Sequence, residues 1–134
     1  MPLPRGAQAA GRMKWKRLCE IADDTVHAAR RRLPAEVRPA ADALPVTFEP
    51  WPSDAMLEDE DVEPDILGLF VGPDHGTDPT ATMPAQILLF LENLWDYAEG
   101  DEAVFREEVR ITYLHELGHY LGWDEDEIAR RGLD

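Results

Sequence analysis

Hydrophobic residues follow a helical spacing near both ends of the chain and form short unbroken runs in its middle. Residues 15–33 place small or apolar side chains every three or four positions, which predicts a helix with one buried face. Pro34 cannot continue that helix, and the arginines at 30–32 suit the negative end of its dipole. A second helix is predicted over residues 103–121, with Asp101 as its N-cap and Gly122 as its stop.

Three short segments between these helices are typical of β-strands. Residues 46–49 are flanked by prolines, whereas residues 66–71 and 86–91 are continuous apolar runs bounded by glycine and proline. Such runs indicate strands that are buried on both faces, so we expect these two in the middle of a small sheet. Residues 92–98 add one or two helical turns after the last strand.

The remaining segments are predicted to lack regular structure. Residues 1–12 form a loose N-terminal segment, and residues 13–134 form a single domain, because a chain of 134 residues suits one core. Residues 50–63 contain two prolines and an acidic run, and we expect an exposed loop there. A calcium site is disfavoured because this segment lacks a glycine-centred loop with ligands at alternating positions. Residues 72–79 are dense in turn formers and also predict a loop.

Composition narrows the classes of partner and compartment. The formal net charge of −15 disfavours nucleic acid and anionic membranes, because binding to both depends on lysine and arginine. Cys19 is the only cysteine, so no intramolecular disulfide can form, and its place in the helical pattern predicts core packing. No apolar run is long enough for a signal-peptide core or a membrane span, so a cytoplasmic location is expected. The four tryptophans are expected to fill the core.

The sequence His-Glu-Leu-Gly-His at residues 115–119 lies within the second predicted helix. His115 and His119 are four residues apart, so both imidazoles lie on one helix face and can reach one ion. Glu116 lies beside them without being forced to bind. Two imidazoles hold zinc, which lowers the pKa of a bound water, and the carboxylate passes the proton of that water to the leaving amine. The motif therefore predicts a zinc site with Glu116 as the catalytic base.

A catalytic zinc normally has three protein ligands, so the two histidines need one more partner. Too few residues follow the motif for a second downstream helix, which leaves the tail or an upstream segment. Gly122 lets the chain turn back beneath the ion, and in metzincins the third ligand stands three residues past this glycine. That position is Glu125, which we favour over its neighbour Asp124, with His75 from the upstream loop third.

Three other side chains near these elements are assigned to packing or to the surface. His27 in the first helix is expected to be an ordinary surface or core histidine. Tyr113 and Tyr120 flank the motif and could hydrogen-bond a tetrahedral intermediate. Both lie on the far side of the helix from His115, which favours packing.

Three segments of the chain resemble the small bacterial zincin-like metallopeptidases that are sometimes called minimal zincins. The segments are Leu-Gly-Leu-Phe-Val-Gly at 67–72, Pro-x-x-Ile-x-Leu-Phe at 84–90 and His-Glu-Leu-Gly-His-Tyr-Leu-Gly-Trp-Asp-Glu at 115–125. The resemblance implies an α+β (α/β) fold, with a small mixed sheet of three to four strands packed by an N-terminal helix and a C-terminal zinc-binding helix. It also implies zinc ligands at His115, His119 and a tail carboxylate. That family often has aspartate at the position of Glu125, which leaves the third ligand between Glu125 and Asp124.

The predicted function is a zinc-dependent metallopeptidase that acts on a peptide or protein substrate, with Glu116 as general base and then general acid. Zincins place an extended substrate along a sheet edge, which residues 67–71 or 86–91 could provide. The alternative is a non-catalytic zinc-stabilised interaction module or pseudo-peptidase, because so small a domain leaves little wall for a cleft. A third interpretation is an enzyme whose partner protein completes the cleft.

Overall fold

The computed structural model describes residues 13–59, 62–72 and 85–131. Its elements are, in chain order, α1 (Trp15–Arg31), α2 (Arg38–Ala43), β1 (Val46–Glu49), α3 (Asp54–Asp59), β2 (Gly68–Val71), β3 (Gln86–Phe90), α4 (Leu91–Tyr97), α5 (Glu102–Tyr120) and α6 (Glu125–Arg130). This arrangement confirms the predicted α+β class. None of the described helices is long and apolar enough to cross a membrane. Residues 1–12 and residues 73–79 of the loop predicted at 72–79 lie outside the described residues, so the predicted domain limits remain a prediction.

β3 is the central strand of a three-stranded mixed sheet in the described part of the chain. It pairs in parallel with β1, where Val46 lies opposite Ile87, and antiparallel with β2, where Phe70 lies opposite the same residue. The side chains from Ile87 to Phe90 are buried, as their unbroken apolar run predicts. The expectation that residues 66–71 form a second middle strand is wrong. β2 has only one neighbour among the described strands, and most of its residues are half-buried.

The main core lies between one face of this sheet and the helices α1, α4 and α5. Ile87 and Leu89 enter it from β3, because alternate residues of a strand face the same side. Cys19 packs at the margin of this core, which confirms its expected packing, and burial raises the pKa of its thiol. The spacing of α1 places in the core the residues that it predicts, Leu18, Ala22, Val26 and Ala29.

The four tryptophans divide between the core and the surface. Trp95 is buried and meets the ring of Phe105 edge-on, with 5.5 Å between the ring centroids. Trp123 is half-buried and packs against the core. Trp15 and Trp51 are exposed, so the expectation that all four tryptophans fill the core is wrong for these two. Trp15 stands in the first turn of α1 and Trp51 in the turn after β1, away from the packed centre of either element.

The short helices α2, α3 and α6 contain six residues each and were not predicted. α3 replaces part of the loop expected at residues 50–63. At its start Met56 donates its backbone N–H to Ser53 Oγ at 3.2 Å. The Met56 side chain packs against Val71 and Leu88 on the second face of the sheet. Six residues contain too few apolar positions for a helical period to be recognised in the sequence.

Candidate metal centre

α5 carries the motif, and its two ends form as the sequence predicts. Asp101 Oδ1 accepts the backbone N–H of Val104 at 3.0 Å, which confirms Asp101 as the N-cap. Gly122 follows the last turn with a φ of 79°, a conformation that glycine adopts without strain. Between these ends α5 buries one face, whose fully buried members are Phe105, Val109, Tyr113 and Leu117. The helix that carries the motif is therefore anchored along most of its length.

Arg30 links α1 to α5 two residues before the motif. Its Nε donates to the Tyr113 hydroxyl at 3.1 Å, and its Nη2 donates to the carbonyl of Leu44 at 2.9 Å. Its guanidinium carbon also lies 5.7 Å from the centre of the Tyr113 ring. Tyr113 is fully buried, which confirms packing as its role. Burial raises the pKa of the Tyr113 hydroxyl, and the hydrogen bond from Arg30 opposes part of that rise.

His115, Glu116 and His119 form the cluster that the motif predicts. One ligand atom of each lies within 4.8 Å of the others, and all three residues are half-buried, so the cluster is reached from solvent. The two imidazole rings are nearly perpendicular, at 83°, with 4.7 Å between their centroids. Two imidazoles beside a carboxylate are a donor set that zinc accepts. The cluster could therefore hold a metal ion.

Glu116 also contacts the edge strand of the sheet. Its Oε1 accepts the backbone N–H of Phe70 in β2 at 2.9 Å. Phe90 donates its backbone N–H to the carbonyl of Leu67 at 3.0 Å, so in the antiparallel register the backbone N–H groups of Leu69 and Val71 point toward β3. The N–H of Phe70 points to the other side of β2, where no described strand lies. The ring of Phe70 lies 5.5 Å from that of Tyr120. Glu116 therefore lies within reach of both the imidazole pair and the sheet edge.

The tail turns back on α5 and then forms α6. Gly122 donates its backbone N–H to the carbonyl of His119 at 3.0 Å. Asp124 is the N-cap of α6, because its Oδ1 accepts the backbone N–H of Glu127 at 2.8 Å. Glu125 is the first residue of that helix. The expectation that no helix follows the motif is wrong, since a capped helix of six residues fits in the tail.

The other predicted side chains are placed as follows. His27 is exposed, with Nδ1 2.8 Å from the carbonyl of Asp23, which confirms a surface histidine. Tyr120 packs against Phe70, as expected of a packing residue. His75 lies outside the described residues. The Phe70 N–H was missed because backbone donors carry no signal in side-chain identity.

A comparison with protein families agrees with this geometry. The model of the zincin-like metallopeptidase family matches residues 41–133, more than two thirds of the chain. The chain belongs to the zincin-like metallopeptidase family. No curated protein matches it. The matched segment of this zincin-like protein includes the whole described sheet and α5, while α1 precedes it.

Proposed function

We propose that this zincin-like protein is a zinc-dependent hydrolase of peptide bonds. The observation that carries the proposal is the position of Glu116, whose carboxylate lies beside the two imidazoles and is fixed by a hydrogen bond from the edge strand. A purely structural site needs no acid in that place. A hydrolytic site needs a carboxylate that is near the metal and aimed by its surroundings.

His115 and His119 would hold the zinc through their ring nitrogens. Zinc would supply a water of lowered pKa and a positive charge that polarises the scissile carbonyl. Glu125 is the preferred third ligand, because the carboxylate of Asp124 already caps α6 through the Glu127 N–H. Glu125 is the first residue of α6 and comes directly after the capping residue Asp124.

Glu116 is the residue that moves the proton. A carboxylate has two oxygens, so Oε1 can keep the Phe70 N–H while the carboxylate takes a proton from the attacking water. The same carboxyl group then returns the proton to the nitrogen of the leaving amine, which leaves as a neutral group. The bond that breaks is the C–N bond of the peptide, and the bond that forms joins the carbonyl carbon to the water oxygen.

The substrate is an extended peptide that pairs with β2. Of the two segments predicted to offer an edge, residues 86–91 contain β3, which already has a strand on each side. β2 has an open side among the described strands, and Glu116 lies at that side. The substrate strand would use the outward backbone groups of β2 other than the Phe70 N–H, which Glu116 holds. Strand addition uses backbone hydrogen bonds, so the sequence preference would come from side-chain contacts on either side of the scissile bond.

The test is cleavage of a peptide library by the zinc-loaded protein, read by mass spectrometry. Glu116→Gln should lower turnover by about 10²–10⁴-fold, because the amide cannot accept the proton, while zinc stoichiometry stays at one per chain. Glu108→Gln is the matched control, since it makes the same change on α5 about two turns before the motif. Cleavage by Glu116→Gln at the wild-type rate would refute the mechanism. Zinc binding without cleavage by any of the three proteins would favour the zinc-stabilised interaction module.

A further inference from the structure

The separation between β2 and α5 is set by Gly68 and Thr112. A Cβ atom at position 68 would lie 2.6 Å from Thr112 Cγ2 and 3.2 Å from the carbonyl oxygen of Leu88. Ordinary contacts of such an atom begin near 3.4 Å. The side chain of Thr112 is buried and branched at Cβ, so it cannot swing aside freely. A side chain at position 68 would therefore push the edge strand and the helix apart.

The contact at Gly68 is in register with the hydrogen bond to Glu116. Two residues of a strand advance about 6.6 Å, and four residues of an α-helix advance about 6 Å. The step from Gly68 to Phe70 therefore matches the step from Thr112 to Glu116. The Phe70 N–H reaches Glu116 Oε1 at 2.9 Å, and a separation of about 3.6 Å is no longer a hydrogen bond. The Cβ contact at position 68 is 2.6 Å, short of the ordinary 3.4 Å. A shift of β2 that relieves this shortfall in full, roughly 0.8 Å, would break the bond.

We propose that Gly68 and Thr112 are positioning residues for Glu116. Their contact holds the edge strand at the distance at which the Phe70 N–H fixes the carboxylate beside the two imidazoles. This inference rests on the proposed function for its effect on turnover. Its structural part, the dependence of one hydrogen bond on the Gly68–Thr112 clearance, stands independently of catalysis.

The first experiment measures amide hydrogen exchange by NMR in the metal-free protein. Gly68→Ala should lower the protection of the Phe70 amide by at least about tenfold, because its acceptor moves out of reach. The amide of Leu69, which the register directs toward β3, should stay protected and so report that the strand is still paired. Adding Thr112→Ala removes Cγ2, the shortest contact, and leaves those with Leu88 O and Leu89 Cδ2 at 3.2 Å, which need a shift of only a few tenths of an ångström, so the double variant should restore most of the Phe70 protection. Thr112→Ala alone is the matched control.

Two outcomes of this measurement would overturn the inference. One is a Phe70 amide that is as well protected in Gly68→Ala as in the wild type. The other is failure of the double variant Gly68→Ala/Thr112→Ala to restore that protection. If Gly68→Ala alone does not fold, the double variant decides, because restored clearance should restore both folding and Phe70 protection.

The second experiment measures turnover and zinc affinity of the same variants. A displacement near 1 Å at a catalytic group costs about 10²-fold, so Gly68→Ala should lower kcat by that order. Its zinc affinity should stay within about threefold of wild type, because both histidines are carried by α5, which is anchored in the core by its own buried face. Thr112→Ala should recover most of the lost kcat in the double variant. An inactive wild type with the expected exchange pattern would refute the proposed function alone, whereas normal turnover in Gly68→Ala would refute the positioning role alone.

Discussion

Replacing Arg30 with alanine should destabilise the fold far more than replacing its neighbour Arg31. Arg30 makes two hydrogen bonds from one guanidinium, to the Tyr113 hydroxyl and to the carbonyl of Leu44. These bonds tie α1 to α5 and to the segment that leads into β1. Arg31 is exposed at the same end of α1 and forms no ion pair or hydrogen bond with the described residues.

The magnitude follows from what Arg30→Ala leaves behind. The Tyr113 hydroxyl sits on a fully buried residue, and leaving it without a partner costs about 1–3 kcal/mol. The bond to Leu44 adds about 1 kcal/mol, less than the roughly 1.5–3 kcal/mol of a buried charged donor, because Arg30 is half-buried and water can replace it. The expected loss in the free energy of unfolding is therefore about 3 kcal/mol. Tyr113→Phe should cost about 1 kcal/mol, since it removes the hydroxyl itself.

Urea denaturation followed by circular dichroism measures these differences at fixed protein concentration without metal. Arg31→Ala is the matched control and should change stability by no more than about 0.5 kcal/mol. The double variant Arg30→Ala/Tyr113→Phe should lose less than the sum of the single losses, because the second change removes the unpaired hydroxyl. Equal stability of Arg30→Ala and Arg31→Ala would show that the reasoning is wrong.

Three further changes have expected outcomes. Asp101→Ala should lower the free energy of unfolding by about 1 kcal/mol, because the Val104 N–H loses its hydrogen-bond acceptor. Chemical denaturation measures this loss, and an unchanged free energy of unfolding would show that the cap does not stabilise the fold. Stability should fall as pH rises above about 10, because burial raises the pKa of Tyr113 and folded protein holds that proton more tightly; Tyr113→Phe should show a shallower decline. Zinc at 100 times its Kd should stabilise the wild type by about 2.7 kcal/mol, and His115→Ala/His119→Ala should abolish this gain in thermal scans.

Elements with a clear local pattern of apolar residues or of flanking residues were predicted correctly. α5 spans Glu102–Tyr120, within a residue of the predicted range at each end. Its buried face and its N-cap can both be recognised from the residue types in the sequence. β1 coincides with residues 46–49. The two histidines of the candidate metal site followed from their spacing, since a helix brings positions four apart together, and Glu116 followed from its place beside them in the motif.

Features that depend on which elements become neighbours were not predicted. The apolar runs of β2 and β3 look alike, yet among the described strands β3 is central and β2 is at the edge. The arginine run at 30–32 was explained by the helix dipole, which does not distinguish Arg30 from the others. Its partner Tyr113 is 83 positions away, and a hydrogen bond over that separation leaves no local pattern.

α5 contributes to the core, to the contact with β2 and to the candidate metal site. The fully buried line from Phe105 to Leu117 anchors α5 in the core. Thr112 and Glu116 meet β2, and His115 and His119 lie beside Glu116 on the same side of the helix. The same helix is therefore anchored in the core and carries the residues of the candidate metal site. Changes in core packing along α5 should alter the candidate metal site and the stability of the fold together.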